Sequence, residues 1–280
     1  MRIANISGRL VLIADRRAID VEQASGGAFP ADPQAVYERW AEFRAWAEAA
    51  TLPAGKPFEV SDLGSPVPAP RQTLAIGLNY REHAAESGFV APEGLPPVFT
   101  KYVTSISGPV TEVTLPPNGH TDWEVELVAV IGTRAEKVSE ADAWSHVAGL
   151  AAGQDISERV VQLAGPAPQF SLGKSFPGFA PIGPWLVTPD EFANPDDLEL
   201  SCSINGEEVQ KGRTRDLIFS VPALIAGLSA VLPLLPGDVI FTGTPAGVGL
   251  GRDPQRWLAP GDELVSTIEG IGELRQTFVA

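Results

Sequence analysis

The chain has 280 residues, enough at about 100–200 residues per domain for one large domain or a large one with a small one. With 44% hydrophobic and 20% charged residues it can bury a substantial core, and its formal charge of −15 argues against binding nucleic acid through phosphates or docking on anionic membranes. One cysteine excludes an internal disulfide and fits a reducing compartment; with no signal-peptide pattern and no apolar run of spanning length, the expected location is cytoplasmic.

In chain order, Ser7-Gly8 marks a turn ahead of a short apolar strand, Leu10–Ala14. Asp32-Pro33 is a helix start, and Val36, Trp40, Phe43 and Ala47 follow on one helical face, with Trp46 and Ala50 flanking it. The aromatic residues there are expected to pack rather than bind. Ser65 to Pro70 alternates proline with small residues and reads as a stiff linker, so 1–68 is expected to be a small N-terminal unit and 69–280 the main body. Beyond it the pattern is mostly short strands: Leu74–Gly77, Val98–Lys101, Trp123–Ile131, Leu198–Asn205 with an Asn205-Gly206 hairpin signal, Val239–Thr242 and Glu263–Ile268. Ser220–Val231 is the clearest helix. Cys202, inside an apolar strand, is expected to be a core residue. The fold class is mainly β with some α.

Within DWEVELVAVIG, Glu124 and Glu126 share a strand face, about 6.6 Å apart at a rise of ~3.3 Å per residue. Apolar neighbours bury at least one face of such a strand, so two carboxylates there need a proton or a cation to offset their repulsion. On this strand alone, an edge with both glutamates in water accounts for them equally well. Asp122 has the same parity and could join them, but at the strand's edge a solvated position accounts for it equally well. Asp155 shifts the balance, because it follows the small apolar run Ala148–Gly153 and no solvated face explains it. Three carboxylates with no clustered histidine or cysteine describe a hard-ion site, for Mg²⁺, Mn²⁺ or Ca²⁺ rather than Zn²⁺.

Of three histidines, His120 lies in a Pro-Asn-Gly loop and His146 in a helical stretch, and both are expected to be structural or solvated. His83 follows a strand and has Glu86 three residues on. On a helical turn the two are neighbours, and a carboxylate beside imidazole orients it and raises its basicity. His-x-x-Glu alone is a weak signal.

Taken together, IGLNYREHAAE, PPVFTK, DWEVELVAVIG, GQDISERVVQ, LGKSFPGFAPIGP, INGEEVQKG, IFTGTPAGVG and PGDELVSTIEGIG resemble, in order, the motifs of the fumarylacetoacetate hydrolase superfamily over residues 74–280. The resemblance implies a mixed β-sandwich roll, a homodimer, and Mg²⁺ or Mn²⁺ as cofactor. Under it Glu124, Glu126 and Asp155 match metal ligands, His83 and Glu86 a water-activating dyad, and Lys174 a lysine beside the metal. Arg159, Gln162 and Thr244 match substrate contacts, with Tyr80 and Lys101 as weaker matches. Pro177-Gly178 departs from the family pattern and raises the question of the pocket rim. The segment from Ser87 to Pro97 is expected to bear on the length of the substrate tail.

The implied reaction is metal-dependent hydrolysis of a C–C bond in a β-diketo acid of the acylpyruvate or fumarylpyruvate type, by way of an enolate. Decarboxylation or keto–enol isomerisation of an oxaloacetate-like or 2-hydroxy-diene-dioate substrate, and cleavage of a sugar acid, use the same enolate chemistry. The His83–Glu86 pair tilts the reading toward hydrolysis, and a metal-retaining but non-catalytic binding protein is the remaining alternative. The expected partner is a small keto acid.

Overall fold

The computed structural model describes residues 1–86, 88 and 94–280. Part of the segment expected to bear on the substrate tail, Ser87 and 89–93, lies outside the described residues.

The strand Val125–Ile131 is the axis of the molecule. All seven of its residues are buried, because both of its faces carry a core. Val125, Leu127, Ala129 and Ile131 point to one core, and Val128 and Val130 to the other. A strand covered on both sides reads as a continuous apolar run, which is why the sequence shows no clean alternation there. It pairs antiparallel with Val147–Gln154 on one side and with Val239–Phe241 on the other. Outward from Val147–Gln154 the sheet continues through Ala180–Val187 to the N-terminal strands Arg2–Ile6, Arg9–Ala14 and Arg17–Asp20; outward from Val239–Phe241 it continues through Thr73–Ile76 to Val98–Thr100. A second sheet of five strands runs Glu207–Arg213, Glu199–Ile204, Glu263–Ile268, Gly272–Val279 and Val110–Thr114. Its inner residues Leu200, Cys202, Ile204, Leu264 and Leu274 close the first core. The architecture is mainly β with short helices, as expected.

Val147–Gln154 was not anticipated as a strand, since glycine and alanine carry little strand propensity. Its small residues are required by the sheet's neighbours. A Cβ at Gly149 would stand 2.6 Å from Leu186, and one at Gly153 would stand 2.4 Å from Val128. Ala180–Val187, Gly272–Val279 and Val110–Thr114 also escaped the pattern, each carrying proline, glycine or charged residues. Other elements agree closely. The Asn205-Gly206 hairpin turn has both residues at positive φ, and Ser220 caps the helix Val221–Ser229. Val231, expected on that helix's buried face, lies past its end and is exposed.

The N-terminal segment shares its core with the rest of the chain. Arg2 and Ile3 pair with Val187 and Leu186, and Ile3, Leu10, Val36, Trp40 and Phe43 pack with Val128, Val130 and Ala148. Trp40 lies so close to Gly132 that a Cβ there would come within 2.5 Å of the indole. The helix expected from Asp32 begins as a 3₁₀ turn, Ala35–Arg39, and becomes α-helical over Trp40–Ala49. Phe29, Trp40, Phe43 and Trp46 form an aromatic cluster with ring centroids 5.4–5.9 Å apart, which is packing. The stretch expected to be a linker is bent over 66–69, and Ser65, Pro66, Val67 and Pro70 are buried. The carbonyl of Ser65 accepts from Asn5 Nδ2 and that of Pro66 from the Tyr37 hydroxyl, which tie it down as a strap.

Candidate metal and catalytic site

The ends of two neighbouring strands bring the acids together. Val125 is opposite Gln154, so the residues just outside each strand, Glu124 and Asp155, are adjacent, and the Asp155 N–H donates to the Glu124 carbonyl at 2.9 Å. Gln154 secures this end: its Oε1 accepts the Glu124 N–H and its Nε2 donates to Ser266. Glu126 lies one residue inside the strand. Carboxylate oxygens of Glu124, Glu126 and Asp155 all lie within 4.8 Å of one another, and all three residues are buried. The alternative of glutamates facing water is therefore wrong for this chain.

Cations stand against two of these acids. Lys174 Nζ donates to Glu124 Oε2 at 2.8 Å, Asp155 Oδ2 at 2.7 Å and Ser157 Oγ at 2.8 Å. Its position follows from local packing: it ends the short helix Phe170–Gly173, and Gly173 lies so close to Gln162 that a Cβ there would be 2.5 Å from the Gln162 nitrogen. Lys101 Nζ donates to Asp155 Oδ1 at 2.5 Å and also to the Lys174 carbonyl. Arg159 Nη2 is 2.8 Å from Glu124 Oε1. Burial raises the Glu124 carboxyl, but Lys174, Arg159 and His83 outweigh it and hold the group at about 2. Glu126 has no cation at ion-pair distance among the described residues and accepts one hydrogen bond, from the Gly243 N–H at 2.7 Å. Burial, with Asp155 and Glu124 beside it, pushes its carboxyl well above the usual range. Burial likewise lowers Lys101, whereas for Lys174 it is outweighed by Asp155 and Glu124, which raise it.

This donor set fits a hard divalent cation. It offers oxygens only, its three residues are buried, and Glu126, with no side-chain cation at ion-pair distance among the described residues, is the acid whose ionisation a bound cation would favour. Glu124, Glu126 and Asp155 would hold the ion.

His83 sits on the helix Arg81–Glu86, and its Nδ1 is 2.9 Å from Glu86 Oε1. Glu86 also accepts the Gly247 N–H at 2.9 Å. The turn before this helix is held by Asn79, whose side chain bonds Phe219 and Thr242 carbonyls and the Phe219 N–H. His83, Glu124, Arg159, Gln162, Lys174 and Thr244 line one cavity, whose remaining wall includes Leu78, Phe99 and Phe170.

The other residues singled out in the sequence fall as follows. Gln162 lines the cavity and its Oε1 accepts from Arg159 Nη1 at 2.8 Å. Thr244 lines it too, but its hydroxyl is engaged, donating to the Val125 carbonyl and accepting from Gln210. Arg159 is held on Asp122, Glu124 and Gln162, so a free bidentate fork for a substrate carboxylate is not what it presents. Tyr80 does not line this cavity; it borders a separate one with Arg81, Lys211 and Arg215, and its buried hydroxyl has no partner among the described residues. Lys101 is sealed behind the acids. Pro177 and Gly178 border another surface cavity and do not shape this rim. His120 stacks on Trp257 and His146 is half-buried beside the Thr133 carbonyl, and neither lines this cavity. Cys202 is a core thiol that burial pushes up to about 12.

Asp122, which the sequence left between the acid cluster and solvent, is fully buried outside that cluster and accepts from Arg159 and from the Gly249 and Leu250 N–H groups. Sequence reasoning missed the Gly247–Leu250 loop. The repeated glycine of GVGLG was the available signal: a Cβ at Gly247 would stand 2.2 Å from the Val209 carbonyl, and one at Gly249 would stand 1.9 Å from that of Arg256.

The model of the fumarylacetoacetate (FAA) hydrolase C-terminal region matches residues 72–279. The chain belongs to the fumarylacetoacetate hydrolase family. Among its relatives it is 46% identical over 215 residues, 76% of this chain and 75% of the other, to 2,4-didehydro-3-deoxy-L-rhamnonate hydrolase of Sphingomonas sp. (strain SKA58). It is 43% identical over 225 residues, 80% and 71% of the two chains, to the human mitochondrial oxaloacetate tautomerase. Among solved structures it superposes on maleylpyruvate hydrolase from Sphingobium sp. SYK-6, in complex with manganese(II) and pyruvate, with a TM-score of 0.80 at 30% identity, covering 100% of this chain and 99% of that one. As in the rest of the family, the protein is an enzyme. Among the described residues no helix is long and apolar enough to cross a membrane.

Proposed function

We propose that this family member is a Mg²⁺- or Mn²⁺-dependent hydrolase that cleaves a C–C bond in a β-diketo acid of the acylpyruvate type. The observation that carries the reading is that His83, backed by Glu86, lines one cavity together with Lys174 and with Glu124 of the acid cluster. Two hydrolases among the similar proteins, one of them with manganese and pyruvate, support it.

A divalent cation held by Glu124, Glu126 and Asp155 would supply Lewis acidity. The residues of the chain do the rest. Glu86, an acceptor only, fixes the proton of His83 on Nδ1, so the lone pair of Nε2 is the base. His83 takes a proton from water, and the oxygen adds to the distal carbonyl. The C–C bond breaks, its electron pair passes to the departing pyruvate enolate, and the proton held on His83 is returned to the enolate carbon, giving pyruvate and a second carboxylic acid and restoring the base. Lys174 neutralises the negative charge that builds on the enolate oxygen. Gln162 is the polar wall group for the substrate carboxylate, with Arg159 behind it.

Without a water the same base would shift a proton between carbon and oxygen, the reaction class of the human relative. Acetylpyruvate, fumarylpyruvate, oxaloacetate and a 2,4-diketo-3-deoxy sugar acid, each assayed with Mg²⁺, Mn²⁺ or a chelator, separate these outcomes. Release of pyruvate plus a second acid in the metal-loaded enzyme supports hydrolysis. CO₂ release, or a spectral change without cleavage, replaces it with decarboxylation or tautomerisation. Turnover undiminished by chelator overturns the metal assignment.

The protein is further proposed to be a cytoplasmic homodimer. Exposed Val160, Leu163 and Leu172 beside the cavity support a partner copy on that face. Sedimentation at a monomer mass would remove this assignment.

A further inference from the structure

Asp122 has no solvent exposure, and it accepts from Arg159 and Leu250, two residues that line the site cavity. Its Oδ2 accepts from Arg159 Nε at 2.9 Å and Nη2 at 2.7 Å and from the Leu250 N–H at 2.9 Å; its Oδ1 accepts from the Gly249 N–H at 2.6 Å and the Trp123 N–H at 2.8 Å. The same Arg159 Nη2 stands 2.8 Å from Glu124 Oε1. One guanidinium is thus shared between Asp122 and Glu124, and only Glu124 belongs to the acid cluster.

We propose that Asp122 is a positioning residue that draws the charge of Arg159 away from Glu124 and so keeps Glu124 available to the divalent cation. This rests on the metal-site reading above. Arg159 is 5% exposed and stays charged, so it must pair with whichever carboxylates its pocket contains. With Asp122 present, two N–H groups go to that residue and one contact goes to Glu124. With Asp122 neutral, the whole positive charge falls on Glu124 and competes with a cation for it. Asp122 touches neither substrate nor ion; it acts through Arg159. Its Gly249 and Leu250 contacts extend the influence to the loop whose Gly247 N–H holds Glu86.

The test is the dissociation constant for Mn²⁺, read by calorimetry on the intact protein, with circular dichroism confirming the fold. Asp122→Asn is expected to weaken Mn²⁺ at least tenfold. The double variant Asp122→Asn, Arg159→Met removes the competing charge as well and is expected to return the constant to within about threefold of the wild type. A role confined to bracing the loop would leave the double variant as weak as the single one, and that result, or an unchanged constant in the folded single variant, overturns the proposal. Should Asp122→Asn not fold, Asp122→Ser, alone and with Arg159→Met, is read in the same way. Failure of the wild type itself to bind Mn²⁺ strikes the metal site, a result distinct from wild-type binding that Asp122→Asn leaves intact.

Discussion

Glu86 bridges His83 and Gly247, its carboxylate lying 2.9 Å from the His83 Nδ1 and accepting the Gly247 N–H at 2.9 Å. The carboxylate that orients the base is itself held by a loop on the far side of the sequence, so the base depends on a glycine 161 residues from Glu86. His83→Ala is expected to lower kcat for acylpyruvate hydrolysis by about 10²–10⁴-fold. Glu86→Gln should come close to that loss, because an amide can donate to Nδ1 and place the ring proton on the wrong nitrogen. Gly247→Ala, whose residue has a φ of +110° and no room for a Cβ, should lower kcat while leaving Mn²⁺ affinity near the wild-type value. Steady-state kinetics paired with calorimetry check all three, and a wild-type kcat in His83→Ala removes the base.

Lys174 makes ion pairs to Glu124 and Asp155 from a side chain that is 2% exposed. Lys174→Met leaves Asp155 to Lys101 alone and Glu124 to Arg159 alone, and removing one partner from a buried ion-pair network costs up to about 3–5 kcal/mol. Urea unfolding without divalent ions should show a loss of that order. Saturating Mn²⁺ should recover part of it, since the ion replaces the missing positive charge. A loss under about 1 kcal/mol would mean that Lys101 and Arg159 compensate the two acids without Lys174.

Cys202 should be inert in the native protein. Its thiol is pushed up to about 12 by burial, against an ordinary value near 9.0. A raised acid contributes stability that is complete below the unfolded value and is lost as pH climbs toward the folded one, so the window is the alkaline span between those two values. At pH 8 the thiolate fraction is then about 10³-fold below that of a free cysteine. Alkylation should be at least that much slower in the folded protein than in urea; equal rates would place Cys202 at the surface.

Removal of residues 1–68 should abolish folding of the remainder. The cut strips Arg2–Ile6 from Ala180–Val187 and uncovers Val128, Val130 and Ala148. The fragment 69–280 is expected to be insoluble or to lack near-ultraviolet dichroism. A soluble fragment with cooperative unfolding would show that the N-terminal unit is dispensable.

Much of the site was legible because burial and charge conflict in the sequence itself. Glu124 and Glu126 sit in an apolar run and Asp155 after another, and acids in such places need compensation whatever the fold. His83 and Glu86 were readable for a different reason: a separation of three is a contact on any helical turn, so no tertiary information was needed to pair them. The strands with β-branched residues and the Asn205-Gly206 turn were legible through local propensity. Val147–Gln154 was not, because what makes Gly149 and Gly153 strand residues is the closeness of Leu186 and Val128, which belong to other strands.

By itself, then, the sequence pointed to the family through motifs in order, to the dyad and the glutamate pair through short spacing, and to Asp155 through the apolar run before it. Only the tertiary structure decided how these groups are charged and held. Lys174 and Lys101 reach Asp155 from separate segments, Arg159 divides itself between Asp122 and Glu124, and Glu126 is left without a cation among the described residues. Those relations join residues 19 to 54 positions apart, and Coulomb energy in a dry interior depends on distance in space, which no spacing along the chain reports.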